Sequence, residues 1–317
     1  MIPFKSVKKI VSLVTAFCLM SVACLPISAS AEQFNETVQT VSNDTINNET
    51  ETLYQRVLDL GFSEEEADYC FANLSTERIK FWLDCNINLD NQNSDIDTYS
   101  NDVSVVENSL KHPTYTNTSG WNTVGTCGSV ASTILLQYYK TYHNDKVGLE
   151  KYKTPEELYH AILPYIDTDV SKNSSIATMS SNVASLTDGL KNFFTDNGEP
   201  HTVNNIHYNK SASTTNQDVL IRRMYITIDM CISTDKPVIA GGHYPNDPRN
   251  TGHFVVVQGF KGKCTQDSNG NITLNSLTVT VNTGWGGSNA VETIDFIKFI
   301  KTITTLGGDG GVTWLLP

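Results

Sequence analysis

The chain of 317 residues is poor in basic side chains: 22 Lys and Arg stand against 34 Asp and Glu, a net charge of −12. Binding nucleic acid means neutralising phosphates with clustered Lys and Arg, so this balance argues against a nucleic-acid partner. Long apolar runs are scarce as well. Only one, near the N-terminus, is long enough to matter, which excludes a polytopic membrane protein. Seven cysteines spread over the whole length are too few for a disulfide-dense scaffold. No CxxC or HExxH spacing occurs, so no structural or catalytic zinc is expected, and nothing calls for another metal or a cofactor. What is present is 39% hydrophobic and 18% charged. That is enough to bury a substantial core, in one large domain plus a smaller piece.

Residues 1–31 read as an export signal. Lys5, Lys8 and Lys9 form a basic head, Ile10 to Ile27 an apolar stretch, and Ala29-Ser30-Ala31 a small-residue cleavage triplet before Glu32. Ser12, Thr15, Ser21 and Pro26 weaken the alternative of a retained anchor helix. A lipid anchor at Cys24 is disfavoured because Ser21 stands where such sites want Leu. The expectation is a secreted protein without stable membrane insertion.

The charge is unevenly placed. Residues 32–112 hold 17 acidic and 4 basic side chains, whereas residues 113–317 hold 17 and 15. The acidity thus belongs to an N-terminal segment, which marks a boundary. Within it, 32–51 is polar and rich in Asn and Thr, and reads as disordered. From Thr52 to Asp84 the pattern is helical, broken at Gly61 and restarted by the capping box Ser63-Glu64-Glu65-Glu66. Residues 86–112 are again linker-like. A small helical unit on polar tethers suits a pro-region that shields or helps fold the larger domain; a mere spacer is the alternative.

The larger block, 113–317, begins with helices. Cys127 to Tyr142 has apolar residues at helical spacing, and Thr154-Pro155-Glu156-Glu157 opens a helix to about Ile166. Further helices are expected over about 181–195 and 217–233. Strands follow at 236–240, 253–260 and 272–282, with Asn269-Gly270 as a hairpin turn and a last apolar run at 312–316. Helices first and antiparallel strands afterwards make an α+β domain with segregated halves.

After removal of the signal five cysteines remain, and an odd number in an exported protein points to a free thiol. Cys127 is the candidate, because a helix N-terminus favours thiolate over thiol. Taken alone, a small core cysteine would be the ordinary reading. His253 stands just before the strand residues Phe254, Val255, Val256 and Val257, and imidazole is the natural base for a thiol near neutral pH. His243 is the competitor, expected in a loop with no strand to hold it. Asn282 ends a strand and opens Asn-Thr-Gly-Trp-Gly-Gly, where an amide oxygen can fix the tautomer of an imidazole. Ordinary turn chemistry explains an isolated Asn there equally well, and packing explains an isolated Trp285.

Together these segments, about residues 120–290, resemble papain-like cysteine peptidases, above all the streptopain-like and double-glycine bacteriocin-leader-processing branches. TCGSVASTILLQYY looks like their nucleophile helix and GHFVVVQGF like their histidine strand; VNTGWGG is similar to the streptopain-type VNWGWGG, with Thr283 in place of its first Trp. The resemblance implies a papain-like fold, a helical half packed on an antiparallel sheet half. It implies Cys127 as nucleophile, His253 as base, Asn282 as orienting residue and Trp285 as a shield over their contact. The family places a Gln about six residues before the nucleophile as oxyanion donor; here Trp121 holds that position and Asn122 follows, so Asn122 is the candidate donor. The function implied is a secreted peptidase made as a zymogen, with a polypeptide substrate and its own pro-region as inhibitor or chaperone. Two alternatives remain at this point: an amidase of cell-wall peptides, and an inactive papain-like domain used for binding or adhesion.

Overall fold

The computed structural model describes residues 43–87, 103–121, 125–143, 149–166, 183–198, 201–208, 214–243, 252–305 and 310–316. The expected signal segment 1–31, with Cys24, and the candidate Asn122 lie outside them. Among the described residues no helix is long and apolar enough to cross a membrane. The chain divides into two units, Met1–Lys80 and Phe81–Pro317.

The smaller unit holds helices α1 (Asn43–Asp59) and α2 (Glu64–Asn73) and the start of α3 (Thr76–Asp84). Gly61, at φ 91°, lets the chain turn out of α1, and its N–H donates to the Leu58 carbonyl. The capping box then forms as its residue types dictate: Glu66 N–H donates to Ser63 Oγ and Ser63 N–H to Glu66 Oε2. Tyr54 packs against Phe71 with ring centroids 5.4 Å apart, and its hydroxyl donates to Asp68. Helix α1 begins nine residues before the expected start at Thr52. Polar side chains extend a helix cheaply once its apolar turns are anchored. Here the Thr52 hydroxyl donates back to the Asn48 carbonyl, and Lys80 pairs with Glu49 at 3.0 Å.

The larger unit is built on one eight-stranded sheet, ordered β1-β6-β5-β4-β8-β3, with β2 also on β5 and β7 on β6. The strands are β1 (Asn86–Ile87), β2 (Val103–Ser109), β3 (Val203–Tyr208), β4 (Val238–His243), β5 (Gly252–Gln266), β6 (Ile272–Asn282), β7 (Val291–Asp295) and β8 (Gly310–Leu315). All pairings are antiparallel except β1 with β6. Helices α4 (Cys127–Tyr142), α5 (Pro155–Ile166), α6 (Val183–Asp196), α7 (Thr214–Ser233) and α8 (Phe296–Thr305) complete it. The class is α+β, as the patterning predicts.

Strand β5 organises the sheet. Its first half, HFVVV, is buried throughout, and each large side chain there contributes roughly 1.5–3 kcal/mol. Phe254 and Val256 join Ile134, Leu135, Leu158, Leu186, Phe193 and Phe194 in one core, with α4 packed on this stretch, α5 on α4 and α6 on α5. A Cβ on Gly241 of β4 would meet Val183 of α6 and Phe254, whereas one on Gly242 would meet Phe299 of α8. Neighbouring strand residues face opposite ways, so α6 and α8 cover opposite faces.

The segregation of helices and strands is less complete than expected. Strand β3 falls between α6 and α7, and α8 lies between β7 and β8. The segment 86–112, expected as linker, supplies β1 and β2. The reason lies in β5, which outruns β4: that pairing ends at Val238 opposite Val257, and β2 takes over the same edge from Ser109 opposite Gly259. A buried edge needs partners for its backbone groups. Over 105–109 only Val106 of β2 is buried, so the segment carries almost no apolar signature.

Candidate active site

Helix α4 starts at Cys127 because Thr126 ends the loop in a non-helical conformation and small residues, Gly128 and Ser129, fill the first turn. The five described cysteines are all thiols. Cys70, Cys85, Cys231 and Cys264 are buried, and Cys127 is the one that is not. No acidic side chain stands in the first turn of α4, the end of a helix whose dipole favours anions. Cys85 is the contrast: burial pushes its thiol up, partly offset by the Arg222 guanidinium.

Trp121 and Thr126, both upstream of Cys127, are tied to each other. The Thr126 side chain does not cap the helix; its hydroxyl donates to the Trp121 carbonyl at 2.9 Å. The Tyr159 hydroxyl donates to the same oxygen at 3.1 Å, and the two rings stack with centroids 5.2 Å apart. Trp121 N–H in turn donates to the Thr118 carbonyl at 3.0 Å.

His253 lies on β5 opposite Gly242 and is buried. Its Nε2 is 2.8 Å from the Thr283 carbonyl oxygen. A carbonyl only accepts, so Nε2 is the donor in this contact. The Trp285 indole stacks on the imidazole, centroids 5.0 Å apart and planes 29° from parallel.

Asn282 does something other than expected. Its Oδ1, which was to accept from His253, accepts from Gly284 N–H at 2.9 Å. Its Nδ2 donates to Thr114 Oγ1 and to the Tyr115 carbonyl, both at 2.9 Å. The amide is thus used to shape the turn after β6, and the acceptor for Nε2 is the main-chain oxygen of the next residue. Thr283 carries no side-chain signal for this role, since any residue there has the same carbonyl. Its hydroxyl donates to Asn289 O at 2.6 Å and accepts from Trp285 N–H at 3.2 Å, which tightens the turn.

The segment before Cys127 and the turn after β6 are joined. Thr118 Oγ1 donates to the Gly284 carbonyl at 2.8 Å. Gly286, at φ 71°, lies against the same segment, and a Cβ there would sit 2.7 Å from Ser119 N. Only glycine meets both demands. His243, expected in a loop, ends β4 opposite Gly252 and is buried, with no hydrogen-bond partner for Nδ1. Gly241 and Gly242 let that strand run on, because they make room for Phe254 and Phe299. Among the described residues no group of three His, Cys, Asp or Glu side chains could hold a metal ion.

No protein-family model matches the chain, and a search of curated proteins finds no match either.

Proposed function

We propose that this chain is an exported cysteine peptidase of papain-like type, made as a zymogen whose helical unit belongs to the pro-region. In this reading Cys127 gives its proton to Nδ1 of His253, and the thiolate sulfur attacks the carbonyl carbon of a peptide bond. The oxyanion is met by the backbone N–H of Cys127 and by Asn122. Nδ1–H then protonates the departing amine as the C–N bond breaks, leaving a thioester on Cys127. A water molecule loses a proton to Nδ1 as its oxygen attacks the thioester carbon; the C–S bond breaks, the carboxylic acid leaves, and the proton on Nδ1 returns to the sulfur to restore the thiol. Through all of this Nε2–H stays on the Thr283 carbonyl, so the ring neither turns nor changes tautomer. Trp285 keeps water from that bond.

One observation carries the reading. A partly exposed cysteine thiol begins a helix, while a buried histidine is held in one tautomer by a turn hydrogen-bonded to the segment before that cysteine. The test is hydrolysis of an unfolded protein such as reduced casein by the full chain. Cys127→Ala is expected to lower it by at least about 10³-fold, and Cys127 to be alkylated by iodoacetamide at neutral pH faster than an ordinary thiol. Unchanged hydrolysis in Cys127→Ala ends the assignment. Release of amines from cell-wall peptides, with casein untouched, replaces it with a wall amidase.

A further inference from the structure

We propose that Thr118 is a positioning residue of this site, the clasp that sets the nucleophile's segment against the turn orienting the histidine. The proposal rests on the peptidase reading above. Thr118 is fully buried and bonds in two directions. Its hydroxyl donates to the Gly284 carbonyl at 2.8 Å, and its own carbonyl accepts from Trp121 N–H at 3.0 Å. From Trp121 the path continues through its carbonyl to the Thr126 hydroxyl, one residue before Cys127. From Gly284 it continues through the same turn, whose Thr283 carbonyl holds His253 Nε2.

The sulfur and the imidazole come from a helix and a strand that pack on each other, and the turn that holds the imidazole is tied by Thr118 to the segment before that helix. Asn282 joins the turn to Thr114 and Tyr115, further upstream. Thr118 makes its bond from within the hydrogen-bonded turn 118–121, whose Trp121 carbonyl accepts from the Thr126 hydroxyl beside Cys127. Reactivity that depends on near-attack geometry can fall about 100-fold for a displacement of 1 Å. A hydroxyl in this position is therefore a control on the Cys127–His253 ion pair without touching substrate or either reacting group.

The experiment compares full-length parent, Thr118→Val and Thr118→Ser by kcat/KM on reduced casein and by the pH dependence of Cys127 alkylation with iodoacetamide. Thr118→Val keeps the shape and loses the hydrogen bond. It is expected to lower kcat/KM about 10- to 100-fold and to move the alkylation midpoint upward, towards an ordinary thiol, because the thiolate loses its aligned imidazolium. Thr118→Ser is expected within about threefold of parent on both readouts, since the hydroxyl remains. Gly286→Ala, which forces the same two segments apart, is expected to shift the alkylation midpoint the same way, and it decides the matter if Thr118→Val does not fold. Parent-like profiles in Thr118→Val, or in Gly286→Ala where the valine variant does not fold, overturn the proposal, as does a Thr118→Ser as impaired as the valine. Failure of the peptidase reading shows differently: the parent itself then alkylates like an ordinary thiol and its hydrolysis does not depend on Cys127.

Discussion

His253 is held through Nε2 by the main-chain oxygen of Thr283, 2.8 Å away, and not by the side chain of Asn282. The neighbouring amide builds the turn that presents this carbonyl. Replacing Asn282 therefore distinguishes direct orientation from indirect support.

Asn282→Asp tests this. A carboxylate can accept from an imidazole as well as an amide can, so direct orientation would leave activity near that of the parent. In the observed geometry the carboxylate loses the donor to Thr114 and faces the Tyr115 carbonyl, one acceptor against another. The expected result is a loss of about 1–3 kcal/mol in urea unfolding, with a parallel fall in casein hydrolysis. Full activity in Asn282→Asp would return the orienting role to this side chain.

Trp285 is expected to matter for activity more than for stability. Its stacking on His253 is worth about 0.5–1.5 kcal/mol, a small part of a fold of this size. Trp285→Ala opens the Nε2–Thr283 bond to water, whereas Trp285→Phe keeps a ring over it. Hydrolysis rates in the order parent, Phe, Ala, with unfolding midpoints close together, are the expected pattern; equal rates in parent and Ala would show that the bond needs no cover.

Strand β2 bears on maturation. It pairs along β5 from Val103 opposite Thr265 to Ser109 opposite Gly259, and beyond it Lys111 N–H donates to Asp235 and Thr114 Oγ1 to Gln258. Cleavage after Ser109 with loss of the strand would strip β5 of its partner along that edge. Mass spectrometry of the processed protein is expected to find 103–116 uncut and retained. An active form that lacks 103–109 would contradict this.

Alkaline pH is expected to weaken the larger unit. Burial, and the Asp235 carboxylate that accepts its hydroxyl at 2.7 Å, push the Tyr138 phenol above its ordinary value; burial does the same to the Cys85 thiol. The folded state then holds protons that the unfolded chain releases, so stability is complete below the unfolded values and falls as pH rises past them. The decline is expected to begin above about 8.5 for the thiol and to steepen near 10 for the phenol. Urea midpoints measured from about pH 7 to about 10.5 check the sign, and Tyr138→Phe should flatten the upper part of the curve. A midpoint independent of pH over that range would refute it.

The readable parts of the fold were those where one residue pattern sufficed. Helix α4 runs over Cys127–Tyr142 as its periodicity predicts, the Ser63 capping box closes as written, and β6 ends at Asn282 as expected. Strands β2 and β3 were not legible, because β2 buries little and its partner edge on β5 lies far away in sequence. The Thr283 carbonyl was hidden for another reason: a main-chain oxygen leaves no mark on residue type. Thr118 looks like loop composition until Gly284 is seen beside it.

Five reduced sulfurs, four of them enclosed, have a practical result. Among the described residues between Asn43 and Leu316 no covalent staple occurs, so added reductants do not undo the scaffold. A maleimide dye offered to the folded chain from Asn43 onward is expected to colour one sulfur of the five, Cys127, and to reach the other four only as the fold opens.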